Sequence, residues 1–519
     1  MSGLRRFPRR AWLVAVAGLA AIVIALGPLP ESGAPSPSSR SPSPQATLSA
    51  GAGALDAASR PSELSGSPPD SGGSGGGTGP AVTGGAANGE PTDPARAGDS
   101  QAPAVVSAIV PGAVDRASLD LLGTYEADVQ LSFDARRLDV DATILFTNTS
   151  GGPIDRVELN TIAASLGALR LDSVSVDGRP VAATVDDQTV LVPLGGSLPA
   201  GAAGRLRIAF RSTLQAGVAG SSWLFTRASG IVNAYRWLPW ISRRTPFRRP
   251  NHGDPFVTAV SPRVTVRVTT DRPLVLATTG QRTAVDGLTQ TFEARNVRDF
   301  TLTAAPDFRI EAATAGDVTV QAFTRPGGPA AATLLREARH ALLRMGERLG
   351  AYPYPSFIVA QSAGGYGMES PGLIWVPTGA AAANLPYLVH HETAHQWFYG
   401  IVGSDQAAEP FADEAPADFV ARHVLGQRRA SRCAADSLDR SIYEYSAACY
   451  YETIYIQGGA WLDTLRRRMG DEAFWSGLRD YVGANRFGLG SSGDLLRTLD
   501  ERTSLDLSSS IAARFPSLP

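Results

Sequence analysis

From Leu119 onward, apolar and polar residues alternate in runs separated by turn residues. YEADVQLSFDARRLDVDATILFTNTS, LRLDSVSVDGRPVAATVDDQTVLVPL and GRLRIAFRSTL keep a two-residue period that breaks at turns such as Asp177-Gly178. Successive strand residues point to opposite faces, so the pattern predicts antiparallel sheets with one buried face. RVTVRVTTDRPLVLATTG and TQTFEARNVRDFTLTAAPDFRIEAA extend it, and an all-β domain is expected over residues 105–313. After GDVTVQAFTRPGG the period lengthens. PAAATLLREARHALLRMGERLG has apolar residues at helical spacing and Gly350 as a stop; SFIVAQS reads as a strand, and helices follow to the C-terminus. Residues 314–519 are thus expected to form a second, mixed domain, and the chain is read as an α+β multidomain protein.

The first 104 residues follow neither period. Arg5, Arg6, Arg9 and Arg10 precede the apolar run Ala11 to Gly27, so residues 1–28 read as a signal peptide or an uncleaved membrane anchor with its positive end inside. Residues 29–104 are rich in Pro, Ser and Gly, as in SGSPPDSGGSGGGTGPAVTGG, and are expected to be a disordered linker. A coil of that length spans about 50 Å root-mean-square. The expectation is an exported protein, either secreted or held by its N-terminal segment at the extracytoplasmic face of the membrane.

Composition narrows the chemistry. The formal net charge of -2 gives no electrostatic reason to expect nucleic acid. All 47 basic residues are arginine, which excludes enzymes that depend on a particular lysine, such as Schiff-base enzymes and P-loop NTPases. Cys433 and Cys449 are the only cysteines; in an exported chain an even count predicts one disulfide, worth roughly 3 kcal/mol for a loop of about 15 residues.

The segment VHHETAHQWFYG contains His391, Glu392 and His395 in the pattern HExxH. On a helix, residues i and i+4 lie about 40° apart around the axis, so both imidazoles can meet one ion. Glu392 projects about 100° away and can reach a water at the metal without ligating it. At this chain's histidine content the pattern is expected by chance only roughly 0.003 times. A catalytic zinc usually takes three protein ligands and leaves one position open. Glu414 in FADEAPADFVARHVL is a third ligand by spacing, with Asp413, Asp405 and Glu409 as rivals.

HExxH followed by 18 residues and Glu414, with HQWFYG after the second His, resembles the gluzincin zinc aminopeptidases, the family of aminopeptidase N and leukotriene hydrolase. The resemblance runs from about Leu119 to the end and is closest to short bacterial members lacking the C-terminal helical-repeat domain. It implies an N-terminal β saddle domain followed by a thermolysin-like domain with one Zn²⁺ per chain on His391, His395 and Glu414. YGMESPGL matches the family's Gly-x-Met-Glu-Asn strand, with Ser370 in place of Asn. This assigns Gly367, Met368 and Glu369 to substrate binding, with Glu369 pairing to the free α-ammonium of a peptide. YIQGG matches the downstream tyrosine signature with Gln457 in place of Lys, and assigns oxyanion stabilisation to Tyr455; Tyr450 and Tyr451 are rivals.

The resemblance thus implies a peptidase, in the first instance an aminopeptidase acting on peptides with a free N-terminus, with Glu392 and Tyr455 as catalytic residues. Alternatives are an open-cleft endopeptidase, a non-catalytic envelope-binding module on the same fold, and hydrolysis of a non-peptide substrate. Asp413 is a possible orienting carboxylate for the imidazoles. His390 cannot share the face of His391 and reads as a neighbour of the ligands or a solvated residue, His340, His252 and His423 read as surface or core residues, and YRWLPWISRRTPFRRP as a domain-packing loop or a segment touching substrate.

Overall fold

The computed structural model describes residues 107–247 and 253–518. The expectations for residues 1–28 and 29–104, and for His252, lie outside these residues. Among the described residues no helix is long and apolar enough to cross a membrane.

The alternating segments form three sheets. Leu121–Ser132 and Arg137–Asn148 pair antiparallel along their whole length, and their buried residues alternate as the two-residue period requires. Around them an eight-stranded sheet is built, and two four-stranded sheets complete the β-rich part. One strand pair departs from the expected antiparallel pattern. Val264–Thr270 lies parallel to Leu121–Ser132, with Tyr125 opposite Val264. More than a hundred residues separate these strands, so no hairpin dictates their relative direction.

The fourth sheet has five strands in the order 309–315, 318–324, 356–362, 373–377, 368–370. Its first strand, Arg309–Ala315, was expected near the end of the all-β region; it pairs instead with Val318–Thr324. Period two identifies a strand but not its sheet. The edge strand Met368–Ser370 runs antiparallel to Leu373–Pro377, with Glu369 opposite Ile374. Helix Ala331–Leu349 packs Leu334, Ala338, Ala341 and Met345 into the second core and ends at Gly350, whose φ of 101° favours glycine.

The β-rich and helical parts belong to one compact unit. Arg298 joins them: it is 1% exposed and donates to the Thr258 carbonyl at 2.9 Å and to that of Gly488, in the helical part, at 2.8 Å. Cys433 and Cys449 are joined, with Cα atoms 5.9 Å apart.

Candidate active site

The HExxH helix, Leu385–Ala394, is short and buried on every side. Pro386 occupies its first turn, where the missing N–H costs no helical hydrogen bond. His395 follows as the C-cap with helical dihedrals, so the spacing of four residues still places both rings on one face. Glu414 comes from the first turn of helix Phe411–Leu425. His391 Nε2, His395 Nε2 and Glu414 Oε2 form a triangle with every edge 3.3 Å. Donors about 2.0 to 2.1 Å from a tetrahedral ion stand about 3.3 Å from one another. Glu414 Oε2 is buried and accepts no well-formed hydrogen bond from the protein, as expected of an oxygen whose partner is a cation. The donor set, imidazole twice and carboxylate once, fits zinc.

The imidazoles are held differently. His395 Nδ1 lies 2.8 Å from Asp413 Oδ1 and 3.0 Å from the Phe398 carbonyl. This is the carboxylate–histidine arrangement that fixes the ring and turns Nε2 toward a metal. His391 Nδ1 has no protein partner; its ring is located by stacking on Tyr387, centroids 5.6 Å apart, and by Tyr455 at 5.5 Å. Of the rival carboxylates, Asp405 accepts from the Ala408 N–H and Glu409 from the Ser492 N–H, both away from the triangle.

Glu392 and Glu369 each bring a carboxylate oxygen within 4.8 Å of a His395 ring nitrogen. Gly367 allows this approach, because a Cβ there would stand 2.2 Å from Glu392 Oε1. That oxygen is buried without a protein partner. Met368 is placed elsewhere: it is buried in the hydrophobic core of the β-rich part, since neighbours on a strand face opposite ways. Ser370 meets Thr279 at 3.0 Å and also bonds Asp299, so it ties the edge strand to the β-rich part.

Tyr455 lies in a π-helical turn, Glu452–Gln457, that leads into helix Gly458–Met469. Such wider turns re-aim side chains and recur at functional sites. Tyr455 is buried beside Glu414, and the loss of hydration together with that carboxylate holds its hydroxyl protonated well above the ordinary range. Tyr451 turns to Arg422 and Arg429, at 3.3 and 3.4 Å. The Tyr450 hydroxyl is buried without a protein partner, against Gly253. Gln457 faces away from the site and donates to the Ala434 carbonyl at 2.9 Å, bracing the disulfide loop.

Three residues of the site were not singled out from the sequence. Gln406 donates to Asp413 and lies 3.4 Å from Glu369 Oε1, while its own oxygen accepts from Arg236 Nη2 at 3.1 Å. Arg236 belongs to the aromatic and arginine segment read as a domain-packing loop or a segment touching substrate; it is buried over Phe256, 3.9 Å from the ring centroid. Asp254 interacts electrostatically with Glu414, Asp413 and His395. None carries a motif; proximity in the chain to WLPW and to HQWFYG is the only signal they had. His390, by contrast, bonds His340 at 2.9 Å and the Pro386 carbonyl at 2.6 Å, outside the triangle. His423 packs on Trp475.

Five carboxylates, Glu369, Glu392, Asp413, Glu414 and Asp254, thus crowd one buried volume. In the metal-free protein, burial and then the neighbouring Glu414 push Glu392 up to about 8 against the pull of His395. Burial and Glu414 likewise raise Asp254 to about 7. Burial raises Glu369 well above its ordinary value, and Asp254 and Asp413 add to this. Burial opposes charge on His395, yet Asp413 and Glu414 outweigh it and hold its imidazolium well above 6.5. Five carboxylates outnumber the two cations described beside them, the His395 imidazolium and Arg236, an excess that a metal ion and a substrate ammonium could offset.

No protein-family model matches the chain, and no curated protein matches it. Solved structures do. A mutant M1 zinc metallopeptidase from Deinococcus radiodurans superposes with a TM-score of 0.61 at 20% identity, covering 79% of this chain and 98% of that one. The same mutant bound to a Tyr-Ser-Ala substrate gives 0.61 at 21%, with the same coverage. A two-domain M1 zinc metallopeptidase mutant bound to L-tryptophan gives 0.60 at 21%, covering 79% and 98%. The β-rich part, the five-stranded sheet and the helices that follow are therefore arranged as in the two-domain M1 zinc metallopeptidases, and this chain has their fold.

Proposed function

We propose that this protein is a zinc-dependent metallopeptidase that removes N-terminal residues from peptides. The observation that carries the reading is the 3.3 Å triangle of His391, His395 and Glu414, with a buried and unpartnered Glu392 oxygen beside it. Zinc held there would supply Lewis acidity, lowering the pKa of a water and polarising the scissile carbonyl. Glu392 takes a proton from the attacking water and passes it to the leaving nitrogen. Tyr455, kept protonated by burial, donates a hydrogen bond to the developing oxyanion. Glu369 pairs with the substrate α-ammonium and so sets which peptide bond reaches Glu392. Asp413 keeps His395 in the tautomer that presents Nε2.

The preference for a free N-terminus rests on Glu369, a buried carboxylate with one contact to a neutral amide and no cation of its own among the hydrogen-bonded partners described. Placement outside the cytoplasm rests on the N-terminal arginines and apolar run, and peptides there would be the substrates. The test combines metal analysis with a panel of aminoacyl fluorogenic substrates and matched N-acetylated peptides. One zinc per chain, with cleavage of free but not acetylated N-termini, is the expected result. Equal cleavage of both would replace the aminopeptidase reading with an endopeptidase. Absence of stoichiometric zinc and of any cleavage would leave a binding module on this fold.

A further inference from the structure

The far end of the Glu414 helix borders a second feature that the hydrolytic site does not use. A cleft of about 380 Å³ opens between the C-terminal half of Phe411–Leu425, the turn at Gly426 to Arg429, and helix Gly458–Met469. Its size falls in the range of small-molecule sites. Arg422, Arg429 and Arg466 form its walls with side chains only 13, 16 and 14% exposed, while Arg428 and Arg467 stand at the rim.

The charge is unbalanced. Asp463 is shared by three arginines: Arg466 bonds it at 3.0 Å, but Arg467 and Arg428 come only to 3.5 and 3.7 Å. Glu452 is shared by Arg429 and Arg432. Five arginines line the cleft with two carboxylates, Asp418 and Asp463, while Glu452 and Asp471 pair with Arg429 and Arg466 from outside the lining, in a chain whose overall formal charge is -2. Guanidinium groups concentrated in a concavity, with fork donors left over, favour an anion. The arginines line the cleft from separate elements, among them the Gly426 turn and helix Gly458–Met469, which suits a tetrahedral group that accepts in several directions better than a planar carboxylate, which fills one fork.

We infer that this cleft binds a phosphoryl-bearing anion, either a free phosphate compound or a phospholipid headgroup, gripped chiefly by Arg428, Arg429 and Arg467. The inference is independent of the hydrolytic reading, because none of these side chains touches the metal triangle. Arg429 does anchor Glu452, the first residue of the turn carrying Tyr455, so the occupant would sit one ion pair from the site.

The test uses the full-length, zinc-loaded protein. Inorganic phosphate is titrated calorimetrically at low ionic strength into the wild type, Arg428→Ala/Arg467→Ala, and the control Arg137→Ala/Arg207→Ala, which removes exposed arginines of the β-rich part. Saturable binding near one equivalent is expected, weakened at least tenfold in the cleft variant and unchanged in the control. Co-sedimentation with vesicles of phosphatidylglycerol and phosphatidylcholine separates the two sources. Vesicle binding lost in the cleft variant identifies a headgroup; phosphate binding without it identifies a free compound. The two rim residues are 73 and 50% exposed, so melting temperature should not move. Lysine at both positions should restore part of the affinity. Phosphate binding equal in wild type and cleft variant, or neither saturable heat nor vesicle binding in the wild type, overturns the inference.

Discussion

One helix, Phe411–Leu425, borders two regions of opposite character. At its start, Asp413 and Glu414 join Glu369, Glu392 and Asp254 in a buried, acid-rich volume. At its end, Arg422 opens onto a cleft where arginines outnumber their carboxylate partners. Burial makes the first imbalance strong: unpaired charge cannot be left to solvent, so Glu392, Asp254 and Glu369 are pushed toward their protonated forms, while the histidines hold Glu414 ionised. The second is partly solvated and its excess is screened by salt. The same helix can therefore carry a demand for cations and an offer to anions without either cancelling the other.

The sharpest way to break the comparison is Glu392→Gln, which keeps the shape of the acid region and removes its proton acceptor. We expect hydrolysis to fall by about 10²- to 10⁴-fold, with zinc content and phosphate binding at the cleft unchanged. Tyr455→Phe should follow, with kcat reduced by about 10²- to 10³-fold and KM little affected, since the donor acts on an oxyanion. If KM rises and kcat does not, Tyr455 serves substrate binding or packing, and Tyr450 becomes the donor to test. Asp413→Asn keeps the contact to His395 but not its charge. It should weaken zinc about 10- to 100-fold, read by competition with a chelator.

The smallest effect concerns pH and needs the metal-free protein. Glu392, at about 8, and Asp254, at about 7, have folded values above their ordinary 4.5 and 3.8. Between those limits the folded chain binds more protons than the unfolded one, so stability should fall as pH rises from about 4 to 8. Zinc replaces protons as the compensating charge and should flatten that slope. Denaturant melts at several pH values, with and without zinc, check both statements; a slope that zinc leaves unchanged would mean the carboxylates are not coupled to the metal triangle.

Local patterns carried much of this molecule. HExxH marked His391 and His395, because a helix converts four-residue spacing into a shared face, and the family resemblance chose Glu414 among its rival carboxylates; the donor atoms of the three stand 3.3 Å apart. The alternating runs marked the strands, but Arg309–Ala315 joined the five-stranded sheet and Val264–Thr270 paired parallel, since a period says which face is buried and not which neighbour lies alongside. Met368 sits in a matching motif yet packs into the core, for the same strand geometry that turns Glu369 toward the site.

Sequence by itself thus determined the paired histidines of HExxH, most of the helices and strands, and the cysteine pair, set by contacts of short range or by parity, while Glu414, Glu369 and Tyr455 were marked by the family resemblance. Tertiary structure alone decided that Gln406, Arg236 and Asp254, from three loops with no periodicity, meet the acid cluster, and that arginines from the Gly426 turn and helix Gly458–Met469 face one another across a cleft. Long-range electrostatics depends on distances that chain separation does not encode. That is why two opposite charge imbalances on one helix are invisible until the chain is folded.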